Sequence, residues 1–241
     1  MNDQITVIGM SDMHGYLIKP DDMPPGDVLC ICGDVVPLDI QNDSIESIAW
    51  LCREFFSWIE ALPYEKVFLI AGNHDFIFED LSQDRNGNHR KPGRVLKKLH
   101  APAKLVLLED TEVLYKGFRF YGSPWCPDLS RWAFYKDSKG LTETFGKIPM
   151  KVDVLLTHCP PNIDRYGTVL QQGYNYLANY GCDELARAVQ DKAPRLHIFG
   201  HVHSGSHLRQ TIGGTELANV SIKDERYVHA YDPQSFILKK Q

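Results

Sequence analysis

No stretch of this chain approaches the roughly 18 consecutive apolar residues that a membrane span needs, so a helical membrane protein is excluded. Positive charge is in short supply. Lys and Arg number 26 against 31 Asp and Glu, and the net charge of -5 offers no global attraction for nucleic acid or acidic lipid. The opening MNDQITVIGMSD has no basic segment followed by an apolar run, so it does not read as a secretory signal, and a cytoplasmic location is expected. Cysteine occurs six times (Cys30, Cys32, Cys52, Cys126, Cys159, Cys182), at spacings of neither a zinc site nor a disulfide framework. Buried, reduced thiols are the expectation, with Cys52 on the apolar face of a helix. Internal repeats and linkers are also missing. The 241 residues, 43% apolar and 24% charged, are therefore expected to form a single domain over 1–241.

What the chain does have is a series of short, unbroken apolar runs. Residues 5–10, 27–32, 66–71, 152–156 and 196–199 read as strands covered on both faces, because none alternates with polar residues. Residues 44–62 carry an apolar stripe at three- and four-residue spacing (Ile45, Ile48, Ala49, Cys52, Phe55, Phe56, Ile59), with Asp43 at the N-cap position. Strand, helix, strand is a βαβ unit with parallel strands. Residues 79–91 read as a polar loop leading into a helix near Pro92. Residues 104–121 read as antiparallel strands, 182–192 as a helix, and 215–220, 226–230 and 235–238 as strands.

Five of the strand ends break into the same kind of punctuation. The clearest is KVFLIAGNHD, where an apolar run stops at Gly72 and delivers Asn73, His74 and Asp75. The others give Asp12-x-His14, Gly33-Asp34, His158 and Gly200-His201-x-His203. In open α/β sheets, ligands bind beyond the carboxyl ends of strands. Asp12, His14, Asp34, Asn73, His158, His201 and His203 offer oxygen and neutral nitrogen, a set that suits Mn, Fe, Zn, Ni or Co. Seven donors exceed the needs of one ion with a water site open and fit two ions sharing a carboxylate. Two divalent ions, two carboxylates and a hydroxide would leave about one net positive charge, suited to a phosphate ester.

This ordered set resembles the calcineurin-like metallophosphoesterase superfamily, whose motifs appear complete from residue 12 to residue 203. The segments GFRFYGSPWCPDLSRWAF, DVLLTHCPP and HIFGHVHSG are similar to the brain-type metallophosphoesterase-domain branch and its bacterial relatives. The resemblance implies a four-layer α/β/β/α sandwich with mixed sheets. It also implies phosphodiesterase activity, including on cyclic nucleotides, by in-line attack of a metal-bridging hydroxide. It implies Asp12, His14, Asp34 and His203 on one ion and Asp34, Asn73, His158 and His201 on the other, Mn²⁺ being the expected metal. His74 would act as general acid, and Asp75 would orient it. A phosphomonoesterase on the same site, a nuclease and a non-catalytic scaffold remain open as alternatives.

The implied partner is a small phosphoester, with no membrane, no case for nucleic acid, and homo-oligomerisation left open. Asn162, Arg165, Tyr166 and Trp125 are candidate substrate contacts, and Trp132, Phe134 and Tyr135 candidate walls of a base-stacking pocket. Residues 167–180 read as a loop bordering the site. His89, His100, His197, His207 and His229 lack motif context and read as structural. The basic run from Arg85 to Lys98 reads as a solvated face.

Overall fold

Alternation within the strands accounts for the architecture. In β2 (Val28–Cys32), side chains point to opposite faces in turn, yet all five residues are buried. Such a strand needs cover on both sides. The structure, a computed structural model describing residues 3–82, 92–170 and 177–240, provides it with two stacked sheets and outer helices. The first sheet runs β13 (Gln234–Lys239), β1 (Gln4–Met10), β2, β3 (Lys66–Ile70), β4 (Leu105–Leu107). Strands β1 to β4 are parallel, and β13 is antiparallel to β1. The second runs β11 (Gln210–Ile212), β12 (Thr215–Asn219), β10 (Leu196–Phe199), β7 (Val154–Thr157), β6 (Phe118–Ser123), β5 (Thr111–Tyr115), parallel within and antiparallel at both edges. A separate hairpin joins β8 (Thr168–Leu170) and β9 (Leu177–Asn179).

Val28, Cys30, Phe68 and Ile70 of the first sheet meet Phe120, Leu156, Ile198 and Val220 of the second. The Phe68 and Phe120 rings pack 4.7 Å apart between the sheets. The outward faces, with Leu29, Ile31 and Leu69 on one side and Leu155 and Leu217 on the other, join helix residues in the outer core. This is the expected α/β/β/α sandwich with mixed sheets.

The first helical segment is α1 (Ser44–Trp50), a π turn (Leu51–Phe55) and α2 (Phe56–Ala61). Asp43 caps it by accepting from the N–H groups of Ile45 and Glu46. The buried stripe differs from expectation in its first half. Ile45 and Cys52 are exposed, and Ser47, Trp50 and Leu51 face the core instead. Two stripes compete here, and the one carrying Trp50 and Leu51 buries more apolar area. Helices α3 (Phe76–Ser82) and α5 (Ser138–Phe145) were not anticipated; α4 (Pro92–Lys98) and α6 (Asp183–Lys192) were. Strand β4 pairs parallel with β3, not antiparallel. Residues 226–230 make a turn in place of a strand. Asp224 accepts from the N–H groups of Arg226 and Val228, and Tyr227 is left-handed at φ 60°. His89, Arg85, Arg90, Lys91 and the tip of the 167–180 loop lie outside the described residues.

Candidate metal centre

Parallel pairing aligns the carboxyl ends of β1, β2 and β3 in one sheet and of β7 and β10 in the other, and the five polar motifs follow them. The chain must turn sharply there. Asp12, His14, Asp34 and His201 all adopt left-handed backbone, at φ 56°, 42°, 54° and 67°. For residues with a Cβ this costs roughly 1–2 kcal/mol each, so the surrounding structure must enforce it. It does so through the Asp75 carboxylate, which accepts from the N–H groups of Gly72, Asp34, Val35 and Val36 at 2.8–3.0 Å. Asp12 and His14 in turn donate to the carbonyls of Gly33 and Asp34. Gly33, at φ 96°, has no room for a Cβ, which would sit 2.7 Å from His158 Nδ1.

All seven expected donors converge. Asp34 Oδ2 lies 3.8 Å from His14 Nε2 and 3.3 Å from His158 Nε2, so it stands between the two halves of the site. Asp34 Oδ1 is held by the His74 N–H at 2.8 Å. Asp12 Oδ1 lies 3.4 Å from His203 Nε2, and Asn73 Oδ1 lies 2.9 Å from His158 Nε2. Outer contacts choose which ring nitrogen faces inward. His158 Nδ1 pairs with the Cys32 carbonyl at 2.7 Å and His203 Nδ1 with the Asp224 carbonyl at 3.0 Å, leaving both Nε2 atoms for the centre.

The electrostatics tie the buried carboxylates to the imidazoles around them. Burial alone would raise the Asp34 and Asp12 carboxyls, but the charge and hydrogen bonding of His158 and His203 outweigh it and hold both below the usual range. The same pairing, against the opposing effect of burial, lifts His158 and His203 to about 9. Burial drives His14 down to about 4 and His201 to about 3. Both ring nitrogens of His14 are buried without a hydrogen-bond partner. Orphaned polar atoms of this kind cost about 1–3 kcal/mol each unless something binds them. Asp12, His14 and His203 form one group close enough to share an ion, and Asp12, Asp34 and His158 another. Divalent metal ions fit these residues.

The family described as calcineurin-like phosphoesterase matches residues 5–205. The chain belongs to the calcineurin-like phosphoesterase family. It is 33% identical to metallophosphoesterase domain-containing protein 1 of Homo sapiens, over 90% of this chain and 66% of that protein. A UPF0046 protein of Caenorhabditis elegans is 30% identical over 97% of this chain and 81% of its own length. Against the human relative, the chain spans just under two thirds of the protein it matches. Among solved structures, the phosphopantetheinyl hydrolase of Mycobacterium tuberculosis shares the fold at TM-score 0.54 and 13% identity, covering 94% of this chain and 92% of that one.

Around the donors, the chain carries a rim that sequence reasoning located only in part. His74 lies with Nε2 3.9 Å from Asp34 Oδ2, its ring 4.4 Å from that of Trp132, and its Nδ1 2.5 Å from Gln41 Oε1. The expected Asp75–His74 pairing is thus corrected: Asp75 fastens backbone, and Gln41 partners His74. Tyr227 sets its ring 5.0 Å from His14 and 5.1 Å from His203. A cavity of about 240 Å³ opens beside His201, lined among the described residues by Leu129, Val169, Tyr180, Val202 and Glu225.

The expected substrate contacts fall elsewhere. Tyr166 is fully buried and donates its hydroxyl to the Leu208 and Leu217 carbonyls, so it is a core residue. Trp125 is buried, with its indole N–H on Asp110 and Lys136 over its ring. Asn162 ties Asn179 to Asp183, and exposed Arg165 is anchored by its carbonyl. Neither lines the cavity beside His201. Of the three candidate wall aromatics, Trp132 touches His74, while Phe134 is in the core. His207 is structural, with Nε2 on the His203 carbonyl and its ring stacked on Tyr231. Gln41 and Tyr227 carried no signal in the sequence, because both reach the site from turns whose course depends on the tertiary fold.

Proposed function

We propose that the chain acts as one metallophosphoesterase domain over residues 1–241 and hydrolyses small phosphodiesters with two divalent metal ions. The observation that carries this reading is the position of Asp34 Oδ2 between His14 and His158, with the other donors grouped on either side. Asp12, His14, Asp34 and His203 would hold one ion, and Asp34, Asn73, His158 and His201 the other. The oxygen-and-imidazole set at the first position suits Mn²⁺. When bound, the ions supply Lewis acidity and lower the pKa of water. The chain's own residues do the rest. Asp34 fixes the spacing, and His74 presents Nε2 to the centre as the atom that moves a proton to the leaving oxygen. Gln41 holds the ring from behind at Nδ1, and Trp132 limits its tilt.

The preference for a diester rests on the cavity beside His201. It has an apolar wall and one carboxylate, with no Lys or Arg among the described residues that line it. Such a space accepts a second ester arm better than the extra charge of a monoester dianion. Cyclic nucleotides are the first substrates to try, and a cytoplasmic setting is proposed with them. With Mn²⁺ added, bis-p-nitrophenyl phosphate should turn over faster than p-nitrophenyl phosphate, and Asp34→Asn should lower the occupancy of both ions. Faster monoester turnover would reverse the substrate assignment; full metal content in Asp34→Asn would remove the bridge.

A further inference from the structure

Behind His158 and His201 lies a sulfur that the oxygen-and-imidazole set leaves out. The Sγ of Cys126 and ring nitrogens of His158 and His201 all lie within 4.8 Å of one another. We propose that Cys126 is an additional ligand at this position, and that the position therefore selects a thiophilic divalent ion such as zinc. This rests on the dinuclear reading above and refines it, making the two metal positions chemically unequal.

The reach is adequate after a local adjustment. A zinc ion binds sulfur at about 2.3 Å and imidazole at about 2.1 Å, so around a tetrahedral ion two such donors stand about 3.6 Å apart. Side-chain rotations that draw donors within 4.8 Å together by up to about an ångström bring the group to that spacing. The thiol is also available. Cys126 is fully buried, and its backbone is pinned by bonds to Phe134 and from Lys136. Its sulfur makes a long 3.8 Å contact with the Pro124 carbonyl and a weak thiol–thiol bond with Cys159, both of which coordination would replace. Opposite it, the His201 imidazole is hydrogen-bonded to no described residue, although its ring sits 5.1 Å from that of His158. A donor set with thiolate and imidazole moves preference from manganese towards zinc. On coordination the Cys126 S–H bond breaks, the sulfur electron pair goes to the ion, and the proton leaves to solvent.

The full chain, stripped of metal and titrated with Co²⁺, provides the test. Wild type should show the visible absorption of histidine-bound cobalt together with a near-ultraviolet sulfur-to-cobalt charge-transfer band. Cys126→Ser should keep the visible absorption and lose the band. It should also bind zinc at least 10-fold more weakly, the lower end of the 10–100-fold typical of altered metal-site partners, with manganese affinity unchanged. Zinc binding should release one proton fewer than in wild type. Visible absorption without the band in wild type overturns the Cys126 assignment and leaves the dinuclear reading intact; no cobalt binding at all overturns both. Should Cys126→Ser not fold, Cys159→Ala decides: a retained band supports Cys126, and a lost one assigns the sulfur to Cys159 and overturns the proposal.

Discussion

His74 is held on three sides, by Gln41 at Nδ1, Trp132 against its face and His14 at 4.9 Å, and its remaining nitrogen faces the donors. His74→Ala should keep its metal and lose turnover by about 10²–10⁴-fold, the range for a general acid. Gln41→Leu should lower kcat by less, with KM and metal content unchanged. Metal analysis and steady-state kinetics check both, and metal loss in His74→Ala would make it a ligand. His197 behaves differently. The Thr157 hydroxyl donates to the Cys159 carbonyl, so His197 Nε2 must donate to Thr157, and Nδ1 stays bare in the core. Burial pushes this imidazole down to about 3. Its contribution is therefore whole above the unfolded value of about 6.5 and is lost as pH falls towards 3. His197→Leu should cost about 1 kcal/mol at pH 7.5 and narrow the gap in Tm between pH 7.5 and pH 5. At this scale the seven side chains that converge were readable, because each sits in a short motif at a strand end. Asp75, Tyr166 and Trp125 were not, because their partners come from residues distant in sequence.

Among the elements, the strands were the most legible. An unbroken apolar run such as DVLCIC has few solutions besides a strand covered on both faces. The helix over residues 44–61 was legible in extent but not in orientation. Its sequence carries two apolar stripes, and only packing against the first sheet selects the one with Trp50 and Leu51. The choice is measurable by urea denaturation. Trp50→Ala should cost about 3–5 kcal/mol, whereas Ile45→Ser, on the exposed face, should stay within about 0.5 kcal/mol. The turn around Tyr227 was read as a strand because Arg226–Ala230 has strand-like residues. Asp224 overrides that preference by collecting two N–H groups.

For the whole molecule, two sheets share one apolar interface while their polar ends gather at a single edge. The fold therefore does not depend on the ions for its core. Chelation with EDTA should leave the near-ultraviolet circular dichroism in place and lower Tm only by the mass-action contribution of the lost ions. Collapse of the near-ultraviolet signal would mean that metal and core are coupled. Among the described residues no helix is long and apolar enough to cross a membrane.

The four N–H groups gathered by Asp75 carry one more consequence. They join the loops after β2 and β3 into a single rigid piece held by one buried carboxylate. An arriving ion then meets ligands already in position and spends little free energy on reorganisation. At the position that Asp12, His14, Asp34 and His203 would form, loading becomes a matter of supply: preparations grown in media of different trace-metal content should carry different ions there in the same geometry, and their catalytic rates should differ accordingly.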